Sequence, residues 1–260
     1  MRYYDKPFIA TSIWFPYYGR NNPTVSVSEL EEYAIENTKT FIDGGLTKIM
    51  IQDENLNTGA AYPETIATMS AIGRLLKREF SDLELGIIVQ AHDPYAAIAI
   101  AQASGADFVR IKVFSGAMLK SEGIRNGIGI EAKNYRTMLG CNDIKILADC
   151  QDREGFSLVP VPIDVHAGWA ERSGADALVL TGKNYGQTLE YLKTVGESDV
   201  QLPLLCGGRV NEENVLEILK YADGAVASSC FQFDDKQQHG HRRWDVEKVK
   251  RFMDVVNGIG

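Results

Sequence analysis

Cysteine is scarce in this chain. Cys141, Cys150, Cys206 and Cys230 are the four present, with no Cys-x-x-Cys spacing and too low a density for a disulfide-stapled scaffold. A reducing, cytoplasmic setting follows, with the thiols read as small buried hydrophobes. Positive charge is also short: 27 Lys and Arg stand against 35 Asp and Glu, a net charge of -8. That balance excludes a chain that coats nucleic acid nonspecifically, which needs a basic face. No apolar run approaches the roughly 20 residues of a membrane span. No signal-type apolar stretch follows Met1-Arg2-Tyr3-Tyr4-Asp5-Lys6. No Pro-, Gly- or Ser-rich linker divides the 260 residues, so 1–260 reads as one domain.

What the chain does have is a repeated phrase. Ser104-Gly105-Ala106-Asp107 runs into Phe108-Val109-Arg110-Ile111-Lys112-Val113, and Ser173-Gly174-Ala175-Asp176 into Ala177-Leu178-Val179-Leu180. Looser copies are Gly44-Gly45-Leu46-Thr47 before Lys48-Ile49-Met50-Ile51, and Tyr221-Ala222-Asp223-Gly224 before Ala225-Val226-Ala227-Ser228. Each follows a helical pattern. The Gly suits the left-handed residue that stops a helix, and the apolar run suits a fully buried parallel strand. Helix, stop and buried strand repeated along the chain predict an α/β fold of one kind, a single (β/α)8 TIM barrel. Such a barrel carries its chemistry at the C-terminal ends of its strands.

Eight strands are expected at 9–15, 48–52, 85–90, 108–113, 145–150, 177–181, 204–206 and 224–228. The first helix is expected from Ser28 with a capping box to Glu31, and the second from Tyr62-Pro63-Glu64, with Ile66, Met69, Ile72, Leu75 and Leu76 on its inner face. Asp93-Pro94 opens the third, Asp93 as its cap. Gly129 to Leu139, Pro162 to Arg172 and Gln187 to Val195 form the next three; Asn211 caps a helix to Tyr221, and Trp244 to Val256 closes the ring. Residues 114–126 read as a long loop with a short helix. The longest loops follow strands one, two, four, five and eight, all on the catalytic face.

Several residues at those strand ends carry chemistry. Arg110 and Lys112 share a face of strand four, and two cations in an apolar strand are costly without a partner or a polar pocket. Asp149, ending strand five, is the expected partner of both at the pocket floor. Lys112 has two roles open: a desolvated amine acting as general base or Schiff-base nucleophile, or an ammonium that stabilises an enolate oxygen. Asp53 and His92, ending strands two and three, read as a general acid/base pair or, with Asp149, as ligands of a divalent metal. Gln52 and Thr181 belong to the same mouth as substrate contacts. Strand seven ends Cys206-Gly207-Gly208-Arg209 and strand eight Ser228-Ser229. Glycines that let N–H groups approach an anion, small residues opposite and an arginine make Gly207, Gly208, Arg209, Ser228 and Ser229 a phosphate site. Trp14-Phe15-Pro16-Tyr17-Tyr18 either walls the pocket or packs under a loop. His239-Gly240-His241-Arg242-Arg243 reads as a solvated loop after strand eight, and His166 as structural.

The run Pro63-Glu64-Thr65-Ile66-Ala67-Thr68-Met69, then Gly86-Ile87-Ile88-Val89, Ala103-Ser104-Gly105-Ala106-Asp107-Phe108-Val109-Arg110, Ser115-Gly116-Ala117-Met118, Lys145-Ile146-Leu147-Ala148-Asp149 and Asp176-Ala177-Leu178-Val179-Leu180-Thr181-Gly182 resembles the BtpA family, also called BtpA/SgcQ. That family is named for a photosystem I biogenesis factor, and one branch lies among sugar-utilisation genes. The resemblance spans nearly the whole chain and implies a ribulose-phosphate-binding type of barrel. It departs at the mouth. Gln52-Asp53 stands where the family usually has Glu-Asn, Ala91-His92-Asp93 where it has Arg-Asn-Asp, Lys112 where it has Asn, and Cys150-Gln151-Asp152-Arg153-Glu154 where it has a Val-His-Val-Lys-His-like run. The framework is kept while the pocket changes, which implies a branch with its own substrate.

Three functions are therefore weighed. One is an enzyme acting on a phosphorylated sugar-like metabolite by carbonyl or enolate chemistry, of aldolase, isomerase or epimerase type. Another is glycosyl or nucleoside transfer, with Asp53 or Asp149 stabilising an oxocarbenium-like centre. The third is a non-catalytic assembly factor. A scaffold has no reason to hold Arg110 and Lys112 in a buried strand, which favours the enzyme. No cofactor is expected, and the partners are a small phosphorylated metabolite and further copies of the chain.

Overall fold

The computed structural model describes residues 3–55, 57, 59–233 and 242–258. Eight parallel strands, Phe8–Trp14, Lys48–Gln52, Glu84–Ile88, Phe108–Ile111, Lys145–Asp149, Ala177–Leu180, Leu204–Cys206 and Gly224–Val226, close into a barrel. They are called barrel strands one to eight below. Helices lie outside them: Val27–Asp43, Pro63–Glu79, Ala96–Ser104, Gly129–Met138, Ile163–Arg172, Tyr185–Gly196, the short Val215–Ile218, and Val246–Asn257. No helix among the described residues is long and apolar enough to cross a membrane.

Alternation along the strands sorts two cores. Inward residues such as Phe8, Met50, Ile88, Phe108, Leu147, Val179 and Leu205 fill the barrel, while Ile49, Ile51, Ile87, Val109, Ile146 and Leu178 pack under the helices. Gly86 on strand three is set by this filling. A Cβ there would lie 2.3 Å from the Phe108 ring and 2.5 Å from Met50 Cγ, so the phenyl ring occupies the place of a side chain.

The repeated phrase proves to be a clasp. Asp107 Oδ2 accepts the Leu85 N–H at 2.7 Å and Lys77 Nζ at 2.9 Å. Asp176 Oδ2 accepts the Ile146 N–H at 2.8 Å and a bond from Arg136, and Asp223 Oδ2 accepts the Leu204 N–H at 3.0 Å. Each Asp returns a backbone bond to the same residue, at 2.8, 2.9 and 2.8 Å. The carboxylate thus holds the first turn of one strand to the start of its neighbour, at the end of the barrel opposite the mouth. Gly105 and Gly174 are in the left-handed region before two of these clasps, with φ of 78° and 98°.

Four sequence expectations change. The capping box sits two residues earlier: Ser26 accepts from the Glu29 N–H while Glu29 reaches back to the Ser26 N–H. Both Ser-x-x-Glu spacings exist, and the earlier one starts the helix. Segment 114–126 holds no helix but a hairpin, Ala117–Lys120 with Gly123–Asn126, joined by Phe156–Ser157 into a three-stranded antiparallel sheet. Alternating Met118, Leu119, Ile124 and Arg125 carry that pattern, and Gly123 at φ 114° makes the turn. Asn211 organises a turn through the Glu213 and Asn214 N–H groups rather than a full helix. Asp93 is not the N-cap of the third helix, a position that Tyr95 takes, but its Oδ1 accepts from the Tyr95 and Ala96 N–H groups in the turn that leads into it.

Candidate active site

At the C-terminal ends of the barrel strands the inward positions turn polar. Gln52, Arg110, Lys112, Asp149, Thr181, Gly207 and Ser228 line one cavity of about 340 Å3, with Gly208, Arg209 and Ser229 on its wall. The sequence had placed all ten at the mouth, and strand alternation brings them together.

The floor is built on strands four and five. Arg110 grips Asp149 as a fork, Nε to Oδ2 at 2.9 Å and Nη2 to Oδ1 at 2.7 Å. Burial works against the guanidinium's charge, but Asp149 outweighs it and holds the arginine's pKa above its ordinary value. Lys112 is not the second partner expected for Asp149. Its Nζ donates to Gln90 Oε1 on strand three's extension, at 3.1 Å. Asp152 is a carboxylate on which the Lys112 charge acts. Burial would raise the Asp152 pKa, yet the Lys112 charge and a hydrogen bond from Lys120 hold it below the usual range. Lys120 Nζ lies 2.5 Å from Asp152 Oδ2, both nearly buried, so the hairpin is pinned to the strand-five loop. Beside Lys112, Val113 has a φ of 48°. A β-branched residue there is strained, and the strand ends at this bend.

Two expected site residues are not in this cavity. Asp53 is 0 % exposed; its carboxylate accepts the Gln90 N–H at 2.7 Å and the Asn55 N–H at 3.2 Å. It braces strand ends two and three instead of lining the cavity. Burial raises its pKa to about 6, against those two N–H donors, which lower it. His92 is spent on the hairpin, with Nε2 2.6 Å from the Asn126 carbonyl oxygen, and lines a separate small recess. Burial lowers its pKa. Asp53 and His92 therefore form no acid/base pair. With Asp149 in the Arg110 fork they form no metal triad, and no other three of His, Cys, Asp or Glu gather to hold a metal among the described residues. His166 is buried in its helix away from the mouth.

The phosphate-type wall is partly as expected. A Cβ on Gly207 would lie 2.0 Å from Thr181 Oγ1, so glycine lets strand seven's end pack on strand six. Gly208 and Arg209 carry backbone N–H groups with no partner among the described residues, and Arg209 takes a φ of 59° to present them. The Arg209 side chain is tied to the Lys183 carbonyl at 3.1 Å. The cation over the glycines is Arg153, with Nη1 3.1 Å from a Cβ built on Gly208. Ser228 is a structural clasp: its hydroxyl accepts the Ser12 N–H at 2.7 Å and donates to the Ser12 carbonyl at 2.8 Å. Ser229 opens a short 3-10 turn at the wall.

Arg242 was read as part of a solvated loop. It instead returns over the mouth, pairs with Glu54 at 3.0 Å and stacks 4.4 Å from the Trp14 ring centroid. His239, Gly240 and His241 lie outside the described residues. Asp152, Arg153 and Gln151 received no role from sequence. The signal was there, as a polar run after strand five that departs from the resembled pattern. Five cations and four acids line the cavity, in a chain of net charge -8. Asp149, Glu54 and Asp152 are already committed to Arg110, Arg242 and Lys120. Among the described lining residues Glu154 is the acid with no ion pair, set with Asp152 against Lys112, Arg153 and Arg209, a field that favours an anionic guest.

Comparison with known proteins places this geometry. A family model described as the BtpA family matches residues 5–258. An uncharacterized protein of Archaeoglobus fulgidus is 30% identical over 236 residues, covering 89% of this chain and 91% of that one. The photosystem I biogenesis protein BtpA of Synechocystis is 28% identical over 233 residues, covering 86% and 79%. Among solved structures, a native KDPGal structure aligns with a TM-score of 0.60 at 16% identity, over 99% of this chain and 98% of that one. The 3-hexulose-6-phosphate synthase of Salmonella typhimurium aligns with a TM-score of 0.60 at 11% identity, over 97% and 99%. At those identities the solved structures establish the barrel fold.

Proposed function

The chain belongs to the BtpA family, and from that premise we propose that its cavity is the active site of an enzyme acting on a phosphorylated, sugar-like small molecule. The chemistry is enolate formation next to a carbonyl, of isomerase, epimerase or aldolase type. The observation that carries the reading is the placement of Lys112, with no carboxylate of the described residues within ion-pair distance, on the same cavity as the Gly207-Gly208-Arg209 wall and Arg153.

Each group has a part. The phosphate lies on the free N–H groups of Gly208 and Arg209, with Arg153 above. The carbonyl oxygen lies at Lys112, which works as a hydrogen-bond donor because Gln90 offers it an acceptor. Asp152, kept ionised by its two lysines, removes the proton beside the carbonyl. The electron pair moves onto the oxygen, and the Lys112 ammonium stabilises the enolate. Returning the proton at another carbon isomerises the substrate; return to the opposite face epimerises it; breaking the next C–C bond is the aldol route. Solved neighbours of the same fold include phosphosugar enzymes by their names, which supports the substrate class coarsely.

The test is solvent deuterium exchange. Ketose and aldose phosphates are incubated with the protein in D2O, and the protons beside the carbonyl are followed by NMR. Exchange with at least one compound, lost in Lys112→Met, supports the reading. A compound that binds yet neither exchanges nor cleaves contradicts it.

A second reading, an assembly factor, is favoured by one observation. Leu119 pairs across strands with Ile124 and Phe156, and the three are 48%, 61% and 64% exposed on the outer face of the hairpin sheet. Apolar faces of this kind mark protein contacts.

A further inference from the structure

Asp53, Gln90 and Lys112 form a chain. Asp53 Oδ1 accepts the Gln90 backbone N–H at 2.7 Å. The side chain of that same Gln90 accepts Lys112 Nζ at 3.1 Å. Asp53 is 0 % exposed and does not line the cavity, whereas Gln90 and Lys112 do. Lys112 lies beyond the last paired residue of strand four, Ile111, and before the strained Val113. Its backbone is therefore outside the ladder, and the direction of its ammonium depends on what its side chain meets. Gln90 Oε1 is the acceptor it meets.

We propose that Asp53 is a positioning residue that acts on Lys112 through Gln90, aiming the ammonium at the reacting carbonyl oxygen. The carboxylate fixes the backbone of residue 90, the backbone fixes where the amide oxygen stands, and the oxygen fixes Nζ. This rests on Lys112 being the working cation of the proposed reaction, but the relay itself is testable without any substrate.

The relay has a titratable end. Burial raises the Asp53 pKa to about 6, and protonation weakens the carboxylate as an acceptor for the Gln90 and Asn55 N–H groups. Tyr18 and Glu54 are the other ionisable groups coupled to Asp53. Around Lys112 stand Asp152 in the cavity, and His92, Asp93, Lys120, Glu122, Arg110 and Arg125 about the recess behind it. His92 is the neighbouring imidazole, its pKa lowered by burial, and is controlled for below.

The experiment is a pH titration of the whole protein labelled with 13C-lysine and 15N, read by NMR over about pH 5 to 8. Lys112 is assigned by its absence in Lys112→Arg. The Gln90 amide and the Lys112 side-chain signal are expected to inflect together near the Asp53 titration. In Gln90→Leu the backbone amide of residue 90 keeps its inflection while Lys112 loses it. In Asp53→Asn both lose it, and in His92→Gln both keep it. A purely structural Asp53 would move the residue-90 amide and leave Lys112 unmoved, which overturns the proposal. Persistence of the Lys112 inflection in Gln90→Leu, or its loss in His92→Gln, overturns it equally. If Asp53→Asn does not fold, Gln90→Leu decides alone.

Discussion

Arg110 and Asp149 hold each other by two hydrogen bonds across neighbouring barrel strands, at 2.9 and 2.7 Å, with side chains 13% and 4% exposed. Because both carboxylate oxygens are taken by one guanidinium, Lys112 does not pair with Asp149; its ammonium donates to Gln90 and its charge acts on Asp152. The fork thus decides which cation at the mouth is structural and which is available.

Removing one side of that fork strands a buried charge. Asp149→Ala is expected to lower stability by about 3–5 kcal/mol, measured by urea denaturation. The double variant Arg110→Met with Asp149→Leu should recover part of the loss, since replacing both partners avoids the orphaned charge.

Gly207→Ala places a methyl 2.0 Å from Thr181 Oγ1 and 2.5 Å from Val179 Cγ1. A loss of about 1–3 kcal/mol is expected from this overpacking. Adding Thr181→Ala should restore part of it, so the two changes will not be additive.

Asp53 gives a signed pH effect. Its folded pKa, raised by burial to about 6, lies above the unfolded carboxylate value of about 3.9. The folded state therefore holds the proton more tightly, and its stabilising contribution is complete below the unfolded value and lost as pH rises through the folded one. Wild type is expected to lose stability relative to Asp53→Asn between about pH 4 and 6, by up to about 3 kcal/mol. Paired denaturation curves at several pH values check this.

The clasps at the other end of the barrel make a control. Asp107 accepts from Leu85 N–H and Lys77 far from the cavity, and its side chain is 42% exposed. Asp107→Ala should cost about 1 kcal/mol and leave ligand binding at the mouth unchanged, as read by thermal melts with and without ligand.

The barrel was legible in the sequence because its signals are local. Gly105 and Gly174 stop helices, and the runs after Asp107 and Asp176 are apolar apart from Arg110 and Lys112. Alternation along strand four also put Arg110 and Lys112 on one face, and the expected strand ends put Gly207 and Thr181 at the same mouth. What sequence order could not give is which partner each charge chooses. Asp53 and His92 both end strands, yet one turns into the gap between strands two and three and the other toward the hairpin. The hairpin itself was missed because its strands are only four residues long, too short for alternation to stand out. Arg153 and Arg242 reach the mouth from loops, where no periodicity points a side chain.

The central claim is that this cavity binds a phosphorylated sugar-like anion with Lys112 as its working cation. Native mass spectrometry of the protein with a panel of sugar phosphates, with and without borohydride, tests it most directly. The account predicts reversible binding of at least one member, loss of that binding in Lys112→Met, and no reduced adduct on Lys112, whose proposed part is to donate to the enolate oxygen. Absence of binding across the panel, or binding that survives Lys112→Met undiminished, would contradict it.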